Sequence, residues 1–296
     1  MSRPARLKAA QYPITRERDF AGWKSKLDAW VAEGVRDGAD LLLFPEYGAM
    51  ELAALITPAM QGDLHREIAG MQALLPGFIE THAGLARRHR VHIAAASFPV
   101  RDPDGRYRNR VHVFGPDGTM AVQDKIVMTR FEREDWDIAG GSRLQVIETG
   151  FARIGLAICY DVEFPLIARA LVEAGAEIIL APSCTDTLAG SNRVWVGARS
   201  RALENQCVVA VSPTVGSAPW SLAVDENRGR AGFFSAPDRG LPDDGILAAG
   251  PVDQPGWVSA TVDLDAVDRV RREGQVLNHR DWPEQVVAGE VARVRV

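Results

Sequence analysis

Cysteine is scarce in this chain, with three residues in 296: Cys159, Cys184 and Cys207. So few and so scattered, they exclude a disulfide framework and a zinc knuckle. Their odd number points to reduced thiols, as in a cytoplasm-like compartment. Positive charge is also in short supply. Lys and Arg total 34 against 39 Asp and Glu, a formal net charge of −5 with no Lys/Arg-rich stretch. That balance speaks against a protein that tracks a phosphate backbone, so nucleic acid is not an expected partner. Long apolar runs are missing too. Residues 91–100 and 178–182 are among the most apolar stretches, and both fall far short of the ~20 residues of a membrane span. The opening Met-Ser-Arg-Pro-Ala-Arg runs into polar sequence without the apolar core of a signal peptide. The expectation is a soluble, cytoplasmic protein with no membrane partner. The six histidines show no metal-ligand spacing, so no metal is expected.

What is present is ordinary globular composition, 46% hydrophobic and 25% charged. Residues 6–12 read as an opening strand. Phe20, Trp23, Leu27, Trp30 and Val31 recur at helical spacing, and Gly34 and Gly38 close that helix. Residues 41–44 form a fully apolar run, as expected of a strand covered on both faces. Residues 64–90 read as helical with a break near Pro76-Gly77, and 91–98 return as a strand. Gly115-Pro116-Asp117-Gly118 supplies turn chemistry between strands 110–114 and 119–125. Strands at 153–158, 177–181, 207–212 and 257–262 alternate with helices at 165–174, 192–205 and 264–272. The Gly-, Pro-, Ser- and Asp-rich region 213–255 reads as loops and short strands. The rhythm is α/β. With no linker, repeat or low-complexity tract, residues 1–296 are expected to form a single domain.

Three local patterns sit at the ends of expected strands, where a sheet fixes the backbone and a side chain can enter a crevice. Leu-Leu-Leu-Phe-Pro-Glu-Tyr delivers Glu46 after a buried strand, where desolvation raises a carboxylate's pKa toward that of a useful base. Gln-Asp-Lys-Ile-Val-Met-Thr-Arg-Phe-Glu puts Lys125 at a hairpin's end, with Glu132 seven residues on. A fixed ammonium there can stabilise a developing oxyanion. Ile-Gly-Leu-Ala-Ile-Cys-Tyr-Asp brings Cys159 to a strand tip, where a neighbouring base can make it nucleophilic. Each has a plainer reading taken alone: a solvated turn glutamate, a surface lysine, a buried apolar cysteine.

Taken together and in this order, the three contexts resemble the nitrilase, or carbon–nitrogen hydrolase, superfamily. Asn109-Arg-Val-His-Val-Phe-Gly-Pro-Asp-Gly118 and Ala198-Arg-Ser-Arg-Ala-Leu-Glu-Asn205 support the match, which runs from about residue 8 to about 265. The resemblance implies a four-layer αββα sandwich that pairs as a homodimer or higher homo-oligomer through its helical layer, with the tail from about 275 to 296 extending toward the partner. It implies Cys159 as nucleophile, Glu46 as general base and Lys125 as the cation facing the tetrahedral intermediate. Glu132 matches the additional glutamate of the family, with Glu134 close enough to compete for that place. The backbone N–H of Tyr160 joins the oxyanion site, and no metal or organic cofactor takes part.

The implied reaction is hydrolysis of a small amide through a thioester, giving an acid plus ammonia or an amine. Tyr160-Asp161 after the cysteine resembles several amidase branches, whereas strict nitrilases follow it with Trp-Glu. Glu163-Phe-Pro-Leu166 puts an acid where dicarboxylate-monoamide hydrolases carry an arginine, which counts against that substrate. The Met-Thr-Arg-Phe-Glu-Arg-Glu run and Val-Leu-Asn-His-Arg-Asp-Trp near Trp282 resemble a branch with members fused to an N-acetyltransferase. No acetyl transfer is carried over to this chain. Nitrile hydrolysis, acyl transfer to an amine and a catalytically silent sensor are the alternatives. Trp136, Ser183, Thr185, Asp186 and Trp195 are candidate pocket residues, each with ordinary packing or loop duty as its rival.

Overall fold

A computed structural model describes residues 3–285 and 292–295. The tail expected to reach a partner therefore lies partly outside the described residues; Asn278–Asp281 is a short helix and Trp282–Gln285 a 3-10 turn.

The first half builds one sheet. Its strands are β1 (Pro4–Pro13), β2 (Leu41–Leu43), β3 (His92–Ala94), β4 (Phe98–Arg101), β5 (Tyr107–Phe114) and β6 (Met120–Asp124). Two helices cover its outer face: α1 (Phe20–Val35) and, after α2 (Leu64–Met71), α3 (Leu75–His89). β1, β2 and β3 run parallel, and β5 returns antiparallel to both β3 and β4 and also pairs with β6. The second half builds the facing sheet from β7 (Val146–Glu148), β8 (Arg153–Leu156), β9 (Ile178–Ser183), β10 (Val208–Ser217), β11 (Glu226–Asn227), β12 (Gly232–Phe234) and β13 (Ile246–Ala249). Three helices lie along this half of the chain: α4 (Arg130–Glu134), α5 (Pro165–Glu173) and α6 (Leu188–Asn205). Strand β14 (Gly256–Asp263) then returns to the first sheet, antiparallel to β1, before α7 (Leu264–Glu273) and α8 (Asn278–Asp281).

Residue alternation explains the layering. Leu41 and Leu43 face one core with Leu7, Ala9 and Val111 of the first sheet and Ile154, Leu156, Ile178 and Leu180 of the second. Leu42 points the other way, into a core with Trp23, Leu27 and Val31 of α1 and Phe78 and Leu85 of α3. Successive strand side chains alternate faces, so a fully apolar β2 must be covered twice. On the far side, Ala168 and Leu171 of α5 and Val194, Ala198 and Ala202 of α6 pack on the second sheet. The result is a four-layer αββα sandwich.

The sheets converge at one end. β1 and β10 pair in parallel only at Tyr12–Thr214 and Pro13–Val215. Just before that junction, the Ser212 hydroxyl lies 2.6 Å from the Ala10 carbonyl and 3.1 Å from the Leu43 carbonyl, either of which can accept its proton. This seam holds the carboxyl ends of β1 and β2 against β10, alongside which β9 runs in parallel.

Some boundaries differ from the sequence reading. Gly34 lies inside α1, where its missing side chain admits Leu42 and Trp257; only Gly38, at a φ of +81°, stands beyond the helix end. The break in 64–90 falls at the 3-10 turn Gln72–Leu74, and Pro76 sits in the first turn of α3, where a missing N–H costs nothing. The strand expected over 91–98 is interrupted at 95–97, and α6 begins at Leu188, capped by the Thr187 side chain.

Leu7 lies in the layer between the sheets. Leu7→Ala is expected to lower stability by about 2–5 kcal/mol, measured by denaturant unfolding; a loss below about 1 kcal/mol would contradict this packing.

Candidate active site

Glu46, Lys125 and Cys159 each follow the end of a strand, β2, β6 and β8 in turn. β2 runs through Phe44-Pro45 to Glu46. The Pro45 carbonyl accepts from Ser97 N at 3.1 Å, and the Ser97 hydroxyl accepts from Tyr47 N at 2.7 Å. The interruption between β3 and β4 thus grips the chain on both sides of Glu46. Lys125 follows β6, its N–H donating to the Asn109 carbonyl at 2.9 Å. Cys159 opens a 3-10 turn, Cys159–Glu163, just beyond the apolar end of β8. Its φ of 48° lies in the left-handed region, a conformation that costs a non-glycine residue about 1–3 kcal/mol and holds the side chain at a sharp corner.

At the centre lies the Lys125 ammonium. Its Nζ donates to Glu46 Oε1 at 2.7 Å and to Glu132 Oε2 at 2.5 Å. All three side chains are at most 2% exposed. Asn109 Nδ2 donates to Glu46 Oε1 at 2.9 Å and Glu132 Oε1 at 3.1 Å, so one amide separates two carboxylates that would otherwise repel. Glu46 Oε2 accepts from the Cys184 backbone N–H at 3.0 Å. Glu132 accepts further bonds from the Tyr47 hydroxyl at 2.8 Å and from Thr129 N and Oγ1 at 3.0 and 2.9 Å. The Cys159 Sγ lies 3.8 Å from the Cys184 carbonyl.

This arrangement divides the carboxylates. Burial pushes Glu46 up to about 7, against the pull of the Lys125 charge. Burial works the same way on Glu132, but the Lys125 charge and its donors outweigh it and hold that carboxyl below its ordinary value. Lys125 keeps its proton firmly: burial opposes the charge, yet Glu132 and Glu46 together raise it well above an ordinary lysine. Burial, and then the Glu46 charge, push the Cys159 thiol well up, with Lys125 pulling it back. One carboxylate is thus poised to exchange a proton near neutrality while its twin stays ionised.

Glu46, Lys125, Glu132, Cys159 and Tyr160 meet at one cavity of about 800 Å³, which Trp136, Thr185 and Asp186 also line. Of the two glutamates the sequence left open, Glu132 touches Lys125, while Glu134 is exposed and bound to Arg130. Ser183 and Trp195 are not brought to the cavity. The Ser183 hydroxyl turns within β9 toward the Ser212 carbonyl at 3.4 Å, and the Trp195 indole donates to the Arg230 carbonyl at 2.9 Å from the packed side of α6. Cys207 is fully buried.

Sequence reasoning gave no role to Asn109, Tyr47, Thr129, Asp161 or the Cys184 backbone. Only Thr129 carried a local signal: Thr-x-x-Glu at 129–132 is a capping box, which orients Glu132 at the head of α4. Asp161 is buried, and burial pushes its carboxyl up to about 6. It accepts from Val127 N at 2.8 Å, from Ile126 N at 3.1 Å and from Ile158 N at 3.2 Å. It therefore ties the segment after Lys125 to the corner at Cys159. Asp161→Ala strands these donors. The expected loss is about 2–4 kcal/mol by denaturant unfolding, with Asp161→Asn retaining part of the stability; an unchanged unfolding midpoint would contradict the brace.

The carbon-nitrogen hydrolase family matches residues 6–272. A probable hydrolase of Bacillus subtilis, YhcX, is 29% identical over 281 residues, which cover 94% of this chain and 53% of that protein. The chain thus spans about half the length of this relative. The human deaminated glutathione amidase is 28% identical over 263 residues, covering 84% of this chain and 75% of the relative. Among solved structures, a carbon-nitrogen hydrolase from Helicobacter pylori superposes with a TM-score of 0.76 at 18% identity, covering 95% of this chain and 94% of that one. A cysteine-to-serine mutant of the Nesterenkonia amidase gives 0.69 at 20% identity, with 94% of this chain and 97% of that one covered. These superpositions establish the shared fold. The chain belongs to the carbon-nitrogen hydrolase family.

Proposed function

We propose that this chain is a thiol amidase that hydrolyses a small amide through a thioester on Cys159. One observation carries the reading: a buried ammonium bridges two glutamates beside a cysteine held at a sharp corner, all opening on one cavity. The amidase names of several relatives support it. No helix among the described residues is long and apolar enough to cross a membrane. The setting we propose is a cytoplasmic homodimer acting as one domain. Leu166 of α5 and Val196 and Leu203 of α6 stand exposed on the outer helical layer, which supports pairing through that face.

In this reading Glu46 takes the Cys159 proton, and the sulfur attacks the amide carbonyl carbon. The carbonyl electrons move onto oxygen, where the Lys125 ammonium and the Tyr160 N–H meet the charge. The Tyr160 N–H belongs to the first turn after Cys159, where helical N–H groups have no partner within the helix. Such a donor contributes roughly 10²–10³ in rate. Glu46 then gives its proton to the leaving nitrogen as the C–N bond breaks. Water, deprotonated by Glu46, attacks the thioester, and the proton returns to the sulfur as the acid leaves. Glu132 stays ionised and holds Lys125 in place throughout.

Ammonia release from amides and nitriles with matched acyl chains, wild type beside Cys159→Ala, tests the proposal. Release from amides, reduced roughly 10⁴-fold or more in the variant, is expected. Release from nitriles alone would move the reaction to nitrile hydrolysis. Amide product formed only with an added amine would indicate acyl transfer, and silence throughout would leave a larger amine leaving group or a sensor. The ionisation of Glu46 gives a second expectation. A base must be deprotonated to act, so kcat/KM rises with pH and levels off above about 7. A profile flat from about pH 5 to 8 would count against Glu46 as the base.

A further inference from the structure

Around the buried triad the cavity lining is unequal in charge. Five carboxylates, Glu134, Glu163, Asp186, Asp225 and Glu226, stand against three guanidinium groups, Arg130, Arg133 and Arg193. Arg130 is already committed to Glu134 through bonds of 2.9 and 2.8 Å. With that pair set aside, the remaining acids exceed the remaining arginines by four to two.

Glu163 differs from the other four. They are exposed; Glu163 is half-buried and sits at the end of the same 3-10 turn that Cys159 begins. Arg201 donates to its backbone carbonyl at 3.4 Å, but among the described residues its carboxylate accepts no hydrogen bond. Its ion contact is Arg193 Nε at 3.7 Å, from a side chain that is 64% exposed. Burial lifts the carboxyl's pKa, and Arg193 and then Lys125 pull it back; Glu163 and Lys125 line the same cavity. A partly desolvated carboxylate without donors gains from any cation that supplies them, and a charge-assisted bond formed out of bulk water is strong. Arg193 satisfies that need only loosely, and its exposed side chain is free to leave for solvent.

We propose that Glu163 selects amides bearing a positively charged group, an ammonium or a guanidinium, which it holds while the amide carbonyl lies at Cys159. Asp186, Asp225 and Glu226 at the rim reinforce the selection by raising the local concentration of cations. The proposal rests on the amidase reading above and names its substrate class. A carboxylate-bearing amide, which Arg133 and Arg193 would attract, is the competing outcome.

The test uses primary amides of equal chain length ending in ammonium, methyl or carboxylate. Calorimetry on Cys159→Ala measures binding without turnover, and wild-type kcat/KM measures selection during turnover. The ammonium amide is expected to bind about tenfold tighter than the methyl one, the scale of one hydrogen bond to a charged group, with the carboxylate weakest. Glu163→Gln, close in shape, should bring the ammonium-to-methyl ratio to near one, acting through KM. Equal binding of all three, tightest binding of the carboxylate, or a uniform loss in Glu163→Gln would each overturn the proposal. The binding order with no turnover of any amide would sink the amidase reading and leave the charge selection standing. Brisk turnover with no charge order would do the reverse. A cationic amide that is neither bound nor hydrolysed overturns both.

Discussion

A lysine ammonium buried between two carboxylates is the constraint on which the rest of this structure depends. Charges are costly to remove from water, and a buried pair survives only where geometry and extra hydrogen bonds compensate. Here two negative groups share one positive charge, so the cluster carries an excess of one charge when both glutamates are ionised. Asn109, Tyr47, Thr129 and the Cys184 N–H spread that excess over neutral donors. The sharing is uneven. Glu132 takes the greater number of donors and stays ionised, while Glu46 has fewer and is pushed up to about 7. The same desolvation that makes the cluster expensive therefore separates a permanent counter-ion from a group able to move a proton.

Holding such a cluster requires a stiff frame, and the sandwich provides it where its two sheets meet. Glu46 and Lys125 come from the first sheet, and Cys159 and Cys184 from the second. Their mutual positions are set by crossing contacts: the Ser212 hydroxyl to two first-sheet carbonyls, Asp161 to the backbone after Lys125, and Glu46 to Cys184 N. The left-handed corners at Tyr47 and Cys159 lie directly beside these braces. Strain of that kind persists only where surrounding structure overdetermines it.

Much of this was legible in the sequence because it is local. Apolar runs ending in Pro-Glu and Cys-Tyr-Asp, and a hairpin ending in Asp-Lys, mark strand ends, and the doubled apolar face of 41–43 implies coverage on both sides. The α/β class follows from short apolar runs alternating with amphipathic segments, whereas the four-layer sandwich and the roles of the three side chains were what the resemblance implied. What was not legible is the set of partners. Asn109 meets Glu46 across 63 residues and Glu132 across 23, and no periodicity links such positions. Ser183 stays outside the cavity for a related reason: proximity to a strand end does not say which way a side chain turns. Trp195 lies mid-helix on the packed face of α6, and helical spacing alone does not say whether that face borders a cavity or a core. Pro76 misled because proline breaks a helix interior yet suits its first turn.

The central claim is that Cys159 becomes acylated in the course of the reaction. The most direct test is intact-mass analysis of protein quenched with acid during turnover of a slow amide, followed by peptide mapping. The expected result is a mass increase equal to the acyl group, confined to the peptide containing Cys159 and absent from Cys159→Ala. Steady formation of ammonia with no adduct on Cys159, including at the earliest quench times, would contradict it.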